Sequence, residues 1–244
     1  MEFKKIKNVI IVGMSLMFMT ASLTMPAFAK DKKNKKTTEE QQIQMQTQPA
    51  SELYPEKYTA EYIEIIKPTY KDTGKSEIIY VALDLLKNTN GEFSRNAILG
   101  NNLSGRPVKI EFKDLSTINK AYATFDALGW KKGKNLYIYI NPRHESAPAI
   151  ALAALLAHEA LHQDEYNSLA EETYAWTMEA SVWNELSEVY PEFKNVMHPL
   201  VSRENTLEKL FIRGNYSSKY IKKTVTTNNA YKNLPTLSPG FEDL

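Results

Sequence analysis

Apolar residues recur at helical spacing in the first half of the chain and predict two helices there. The first covers residues 51–66 and is ended by Pro68, because proline lacks the N–H group that would continue a helix. The second covers residues 76–87 (SEIIYVALDLLK) and ends at the turn sequence Asn-Thr-Asn-Gly of residues 88–91. Both helices are interpreted as scaffold for the segments that follow.

The pattern then changes to short runs rich in β-branched and aromatic residues, which are typical of strands. Strands are predicted at residues 108–112, 121–125 and 136–140. The last two are separated by the glycine- and lysine-rich sequence GWKKGK, which predicts a hairpin. Asn141 and Pro142 end this strand-rich part.

From residue 147 to residue 163 (APAIALAALLAHEALHQ), apolar residues occupy nearly every side of the predicted helix, as in a helix buried at the centre of a domain. A polar turn at 164–167 precedes a second long helix at 168–189, and a further helix is predicted near 204–213. The tyrosine-, asparagine- and proline-rich end of the chain is assigned no element. This order of elements predicts an α+β fold with a small mixed or antiparallel sheet packed on the buried helix, followed by a mainly helical C-terminal part.

The N-terminus has the pattern of a secretory signal peptide. Three lysines among the first seven residues precede an apolar stretch at residues 9–25, and Ala27-Phe28-Ala29 is a small-x-small cleavage sequence. We predict cleavage of residues 1–29 after Ala29, and hence a secreted protein with no stable membrane span. The apolar stretch approaches membrane-spanning length, so an uncleaved signal anchor is the alternative. Both interpretations place the rest of the chain outside the cytoplasm.

Residues 30–50 are rich in lysine, threonine and glutamine and contain almost no apolar side chain. Burial therefore cannot offset the entropy of ordering them, and the segment is predicted to be a disordered tether. Its cluster of five lysines would associate weakly with an anionic cell envelope, although such runs are more often soluble linkers. The remaining residues, 51–244, are predicted to form a single domain.

Charge and cysteine content narrow the chemistry of this domain. The 244-residue chain has 30 basic and 29 acidic residues, for a net charge of +1, which does not favour a nucleic-acid partner. It contains no cysteine, which excludes disulfides, thiolate metal ligands and a cysteine nucleophile. Any metal must therefore be bound by histidine and carboxylate.

The buried helix at 147–163 carries the sequence His158-Glu159-Ala160-Leu161-His162, an H-E-x-x-H pattern. A spacing of four residues returns to the same helix face, so the two imidazoles point the same way, about 6 Å apart at Cβ, and can bind one ion. Glu159 lies about 100° around the helix from His158, where it can reach a metal-bound water without occupying the metal. The pattern predicts a zinc site with Glu159 as its general base.

Catalytic zinc sites usually have three protein ligands and an open fourth position, so a third ligand is expected. Glu172 emerges from the middle of the core-facing stripe of the helix at 168–189, and the turn centre near Asn167 is equally distant in sequence from His162 and Glu172. We therefore predict Glu172 as the third ligand. The chemically able candidates are Asp164, Glu165, Glu171, Glu172, Glu179, His144 and His198.

Two glutamates remain as alternatives to Glu172. Glu171 lies at the edge of the stripe, and Ser168-x-x-Glu171 forms a capping box that would commit its carboxylate to the backbone. Glu179 also faces inward, but two turns further along the helix, about 10 Å away.

His158-Glu159-x-x-His162 followed by Glu172-x-x-Ala175 resembles the gluzincin metallopeptidases, in which two histidines of the active-site helix and a glutamate of the next helix bind zinc. The resemblance implies a zincin-like fold, zinc endopeptidase activity on peptide or protein substrates, and an edge strand at 136–140 that aligns the substrate. Two positions depart from the family: Trp176 stands where an acidic residue is preferred, and Asp164 stands where an apolar one is usual. Asp164 or Asn167 is then expected to orient His162.

The expected reaction is peptide-bond hydrolysis by a zinc-bound water whose proton Glu159 accepts and passes to the leaving amine. An additional group usually stabilises the oxyanion, and the sequence leaves several candidates open. These candidates are Tyr166, Tyr174, His198, Arg213, Tyr216 and Tyr220. Two further interpretations stay open: a cell-surface binding or structural module with a non-catalytic or vestigial zinc site, and an inhibitory pro-segment at residues 30–75.

Overall fold

The computed structural model describes residues 53–242, so the predicted signal peptide and tether lie outside the described residues. The described part is α+β, with seven α-helices and one three-stranded sheet. None of these helices combines the length and apolar character that crossing a bilayer requires. The elements are α1 (Ala60–Tyr70), α2 (Glu77–Leu85), α3 (Glu92–Ile98), β1 (Lys109–Phe112), β2 (Ala127–Lys132), β3 (Asn135–Ile140), α4 (Ala149–Glu159), α5 (Leu169–Val189), α6 (Pro199–Arg213) and α7 (Lys219–Thr227).

The sheet is mixed and has the strand order β1-β3-β2. β3 is the central strand; it pairs in parallel with β1 and antiparallel with β2. A hairpin forms between β2 and β3, which pair from Ala127 opposite Ile140 to Lys132 opposite Asn135, but its first strand is not the predicted segment 121–125. Its turn is shorter than predicted, and Gly133 supplies the left-handed conformation there with φ +61°.

The strand predicted at 121–125 is wrong. Asn119 accepts a hydrogen bond from the N–H of Ala121 and caps a short 3₁₀ helix at Lys120–Tyr122. Tyr122 stacks on Phe125 at a ring distance of 4.9 Å within a small apolar cluster. The strand β2 begins after this cluster and includes most of the GWKKGK sequence that was predicted to be a turn. Its lysines are compatible with a strand because β2 lies at the edge of the sheet.

α4 is buried along its whole length, as its pattern predicts, and lies in the main hydrophobic core with α2. The helix ends earlier than the predicted residue 163. The N–H of Leu161 bonds to the carbonyl of His158 and that of His162 to the carbonyl of Glu159, so a tight turn follows the helix. His158 and Glu159 therefore lie in the last helical turn, whereas His162 lies just beyond it.

α1 begins later and ends later than predicted. Thr59 accepts a hydrogen bond from the N–H of Tyr62 and caps the helix, which then continues through Pro68 to Tyr70. Pro68 is exposed in the last turn, so the carbonyl that loses its N–H partner there can bond to water. α3 was not predicted at all, because the turn sequence at 88–91 is followed by a helix of only seven residues.

Residues 53–75 are built into the core. Tyr58 and Tyr70 both donate a hydrogen bond to Asp84 of α2. The carbonyl of Leu53 accepts from the N–H of Ala149, the first residue of α4. Removal of residues 53–75 would break these contacts and expose the start of the central helix.

The C-terminal part is helical, as predicted. α5 begins directly after Ser168, whose hydroxyl accepts from the N–H of Glu171. α6 begins at Pro199, five residues before the predicted helix, because His198 caps it and proline is well suited to the first helical position. α7 and the segment after it pack against α5 and α6 through Trp176, Phe211 and Tyr231.

Candidate metal centre

His158, His162 and Glu172 come together where the C-terminal end of α4 meets the first turns of α5. All three side chains are buried. One ligand atom from each can be chosen so that the three atoms lie within 4.8 Å of one another. Among residues 53–242, no other set of three histidine or acidic side chains meets this condition. The predicted trio is therefore brought together in space.

The spacing inside the trio fits a metal ion better than direct hydrogen bonds. His162 Nε2 lies 3.8 Å from Glu172 Oε1, and His158 Nε2 lies 4.0 Å from Glu172 Oε2. Both distances exceed a hydrogen bond, which ends near about 3.2 Å. Bonds of about 2.1 Å to a tetrahedral ion place two ligand atoms about 3.4 Å apart, so a small closure of the trio would bind one.

Two of these atoms have no other partner. His162 Nε2 and Glu172 Oε2 are buried and make no hydrogen bond within the described residues. A buried polar atom without a partner is costly, and metal ligation would remove that cost. The residues present therefore fit a metal ion.

Glu171 orients His162. Its Oε1 lies 2.8 Å from His162 Nδ1, and its Oε2 accepts a hydrogen bond from Ser238. The capping-box role predicted for its carboxylate is wrong, because Asn167 Oδ1 already accepts from the N–H of Ser168 at 2.7 Å. The role predicted for Asp164 or Asn167 is also wrong. Asp164 bonds to the N–H of Tyr166.

Asn167 instead supports the third ligand. Its amide Nδ2 donates to Glu172 Oε1 at 2.6 Å. This bond occupies one carboxylate oxygen and leaves Oε2 directed at His158. The polar turn between the helices thus positions Glu172, not His162.

Glu179 lies beside His158 and not 10 Å from the site as predicted. Its Oε2 is 3.0 Å from His158 Nδ1. Glu179 is two turns beyond Glu172 on α5, and His158 is one turn before His162 on α4. The packing of the two helices therefore places Glu179 opposite His158. Burial disfavours its ionisation, but the guanidinium of Arg203 and the nearby imidazole of His158 outweigh burial and hold the pKa of Glu179 below its usual range.

Arg203 connects Glu179 to the sheet side of the molecule. Its guanidinium bonds to Glu179 and, at 3.0 Å, to Asp126. It also lies over the ring of Trp176, 4.7 Å from the centroid, and the rings of Trp176 and His158 make a T-shaped contact at 5.0 Å. The non-acidic residue at position 176 thus still supports the centre, by packing instead of by charge.

Glu159 lies beside the trio and outside it. It is 4% exposed, and its Oε2 has no hydrogen-bond partner within the described residues. Burial raises the pKa of Glu159, although His158 and His162 oppose the rise. A carboxylate with a raised pKa is the kind of group that can accept and return a proton near neutral pH.

Neighbouring carboxylates make His162 more basic than an ordinary histidine. Burial lowers its pKa, but the bond to Glu171 and the charge of Glu172 outweigh burial and raise the pKa of His162 to about 9. A protonated imidazole cannot ligate a metal, so metal uptake must release this proton.

The structure does not bring the other candidates to the trio. His144 bonds to Asp126 at 2.7 Å, and His198 caps α6 and packs on His144. Glu165 pairs with Lys131 at the surface. Arg213 lies over the ring of Tyr220, away from the ligands. The remaining oxyanion candidates are exposed tyrosines without a contact to the trio, namely Tyr166, Tyr174 and Tyr216.

The strand beside the metal centre is β2. The expectation that 136–140 forms the edge of the sheet is wrong, because β3 has partners on both sides. Gly129 of β2 faces His162: a Cβ atom at this glycine would lie 3.1 Å from His162 Cβ. The absence of a side chain at residue 129 lets the edge strand approach the centre closely.

Gly129→Ala should weaken metal binding. The added methyl would force strand β2 and the turn after α4 apart by a few tenths of an ångström and displace His162, so we expect an affinity for zinc on the order of 10-fold lower. Competition with a chromophoric chelator measures it.

Gly133→Ala is the matched control. A Cβ there meets open space but must adopt φ +61°, so this variant should lose about 1 kcal/mol of stability and keep its metal affinity. An equal loss of affinity in both variants would show that the close approach at Gly129 does not position His162.

Sequence reasoning missed Arg203, Asp126, Tyr231 and Ser238. Arg203 did leave a signal, because it stands in the core-facing stripe of α6 between Leu200 and Leu207, where an apolar residue is expected. The other three residues left no such signal, since each contacts residues that are distant from it in the sequence.

Comparison with known proteins finds no similar protein for this chain. No family model matches the chain, and neither the curated proteins nor the solved structures contain a significant match. The functional assignment therefore depends on the site itself.

Proposed function

We propose that this protein is an exported zinc-dependent metallopeptidase that hydrolyses peptide bonds, with a zincin-like catalytic domain. The observation that carries the proposal is the buried trio of His158, His162 and Glu172, in which His162 Nε2 and Glu172 Oε2 have no hydrogen-bond partner among residues 53–242. Two imidazoles and one carboxylate are a usual ligand set of catalytic zinc.

His158, His162 and Glu172 would hold the zinc ion. Three protein ligands leave one coordination position for water or substrate, whereas structural zinc sites usually have four. A bound zinc ion supplies a Lewis acid that makes a coordinated water more acidic and polarises the scissile carbonyl. Glu171 keeps the imidazole of His162 oriented through its hydrogen bond to Nδ1. Glu179 lies within ion-pair distance of His158 Nδ1, the ring nitrogen turned away from Glu172.

Glu159 would act as the general base. Its carboxylate accepts the proton of the attacking water and then donates it to the leaving amine, a role for which its raised pKa is suited. The edge strand β2 would align an extended peptide, since its side away from β3 has no strand partner among residues 53–242. Gly129 would keep this edge close to His162.

Export is proposed from the N-terminal sequence. The lysines, the apolar stretch at 9–25 and Ala27-Phe28-Ala29 direct the chain out of the cytoplasm, and cleavage after Ala29 would release it. The lysine-rich residues 30–50 would give weak contact with an anionic envelope.

One observation favours a second candidate function. His158, Glu159 and His162 are only 3–4% exposed and Glu172 is 0% exposed, which also fits a metal that stabilises a binding module without catalysis. The two candidates differ in the coordination shell: a peptidase needs a position open to water, and a structural site is closed.

Purified protein should bind about one zinc ion per chain and hydrolyse an unstructured protein. A chelator should abolish hydrolysis, and added zinc should restore it, because the Lewis acid is returned. Metal analysis and release of new amino termini measure the two properties. One zinc per chain with no hydrolysis of any unstructured protein would favour the structural alternative. Absence of metal binding would contradict both candidate functions.

A further inference from the structure

The C-terminal segment, residues 228–242, follows α7 and crosses the start of α5. The N–H groups of Leu169 and Ala170, the first two residues of α5, donate to the carbonyls of Pro235 and Thr236 at 2.9 and 3.1 Å. The first N–H groups of a helix have no partner inside the helix. The C-terminal segment therefore anchors the end of α5 from which the third metal ligand emerges.

Tyr231 of this segment reaches Glu172. It is fully buried, and its hydroxyl accepts from Trp176 Nε1 at 3.0 Å and donates to the Glu172 carboxylate. Together with Asn167, it supplies Glu172 with two donors of hydrogen bonds. Donors on a buried carboxylate fix the plane of its two oxygens, and so the direction in which the free oxygen points.

Ser238 of the same segment reaches His162 through one intermediate. Its hydroxyl lies 2.9 Å from that of Ser168 and donates to Glu171 Oε2 at 3.0 Å, while Glu171 Oε1 contacts His162 Nδ1. Ser238 is 6% exposed, so water does not readily replace it.

We propose that the C-terminal segment completes the metal centre, with Tyr231 positioning Glu172 directly and Ser238 positioning His162 through Glu171. Neither residue ligates the metal, so both are positioning residues. The inference rests on the proposed metal site and not on peptidase activity. Its consequence is that Glu172 depends on residue 231 and His162 on residue 238, about 60 and 75 positions further along the chain.

The test compares metal binding by the full-length protein and its Tyr231→Phe and Ser238→Ala variants. Zinc affinity is measured by competition with a chromophoric chelator, and cobalt(II) absorption reports the ligand geometry. Each variant should bind zinc about 10- to 100-fold more weakly and show an altered cobalt spectrum, as expected for partners of metal ligands. Ser238→Thr keeps the hydroxyl and should restore affinity.

Tyr216→Phe and Ser202→Ala are the matched controls, because Tyr216 and Ser202 are exposed. Both controls should bind zinc as the wild type does. Melting without metal separates stability from ligand positioning, since Tyr231→Phe leaves the Trp176 N–H without its acceptor. A purely structural effect would lower the melting temperature without metal and leave the rise on adding zinc unchanged; positioning shrinks that rise.

The outcomes are distinguishable. Wild-type affinity and spectrum in both Tyr231→Phe and Ser238→Ala, beside a wild type that binds zinc, would overturn this inference alone. Zinc binding by the wild type without hydrolysis would reject the peptidase and leave the inference standing. A wild type that takes up neither zinc nor cobalt would overturn both.

Discussion

Glu159→Gln should retain zinc and lose hydrolysis. Glu159 lies beside the ligand trio and not within it, so the amide, which has nearly the same shape, leaves His158, His162 and Glu172 in place. The amide cannot accept a proton from water, and removal of a general base costs about 10²- to 10⁴-fold in rate. Initial rates on an unstructured protein, normalised to bound zinc, measure the loss.

Glu165→Gln is the matched control, because Glu165 is close in sequence but pairs with Lys131 at the surface. Its rate should stay near the wild-type rate, since exposed ion pairs contribute little. Hydrolysis at the wild-type rate by Glu159→Gln would reject Glu159 as the base. Loss of zinc from that variant would instead make Glu159 part of the metal shell.

Glu172→Ala should bind zinc far more weakly than Glu171→Ala. Glu172 offers an unpartnered oxygen to the ion. Glu171 instead contacts Nδ1 of His162, the ring nitrogen turned away from Glu172. Loss of an outer partner costs about 10- to 100-fold in affinity, and loss of a ligand should cost more than about 100-fold. Zinc content after dialysis and chelator competition separate the two variants.

Glu188→Ala serves as the control on the same helix, because Glu188 is exposed near the end of α5. It should bind zinc as the wild type does. If zinc stays bound in Glu172→Ala but is lost in Glu171→Ala, the choice of third ligand is wrong. Equal losses in the two glutamate variants would mean that both carboxylates bind the ion.

The long helices α4 and α5 and the strands at 108–112 and 136–140 were predicted well, whereas the first helix was misplaced and the strand at 121–125 was wrong. The buried pattern of α4 and the capping serine of α5 depend on neighbouring residues, which the sequence contains. The strand at 121–125 was placed incorrectly, because Asn119 caps a short helix there and the sheet recruits the lysine-containing residues of β2 instead. Strand pairing depends on distant partners, so local composition predicts it poorly.

The sequence by itself determined the local part of the candidate metal centre. His158, Glu159 and His162 share one buried stretch, and a spacing of four residues brings both imidazoles to the same side, although His162 lies in the tight turn just after α4. The absence of cysteine left only histidine and carboxylate as ligands.

Only the tertiary structure decided how three inward-facing glutamates divide their roles. Glu172 faces both imidazoles, Glu171 bonds to His162, and Glu179 lies within ion-pair distance of His158. These roles depend on the axial offset and rotation between α4 and α5, and on the C-terminal segment that packs on the start of α5. The helical period places side chains on a face, but only packing between distant segments decides which atom each one meets.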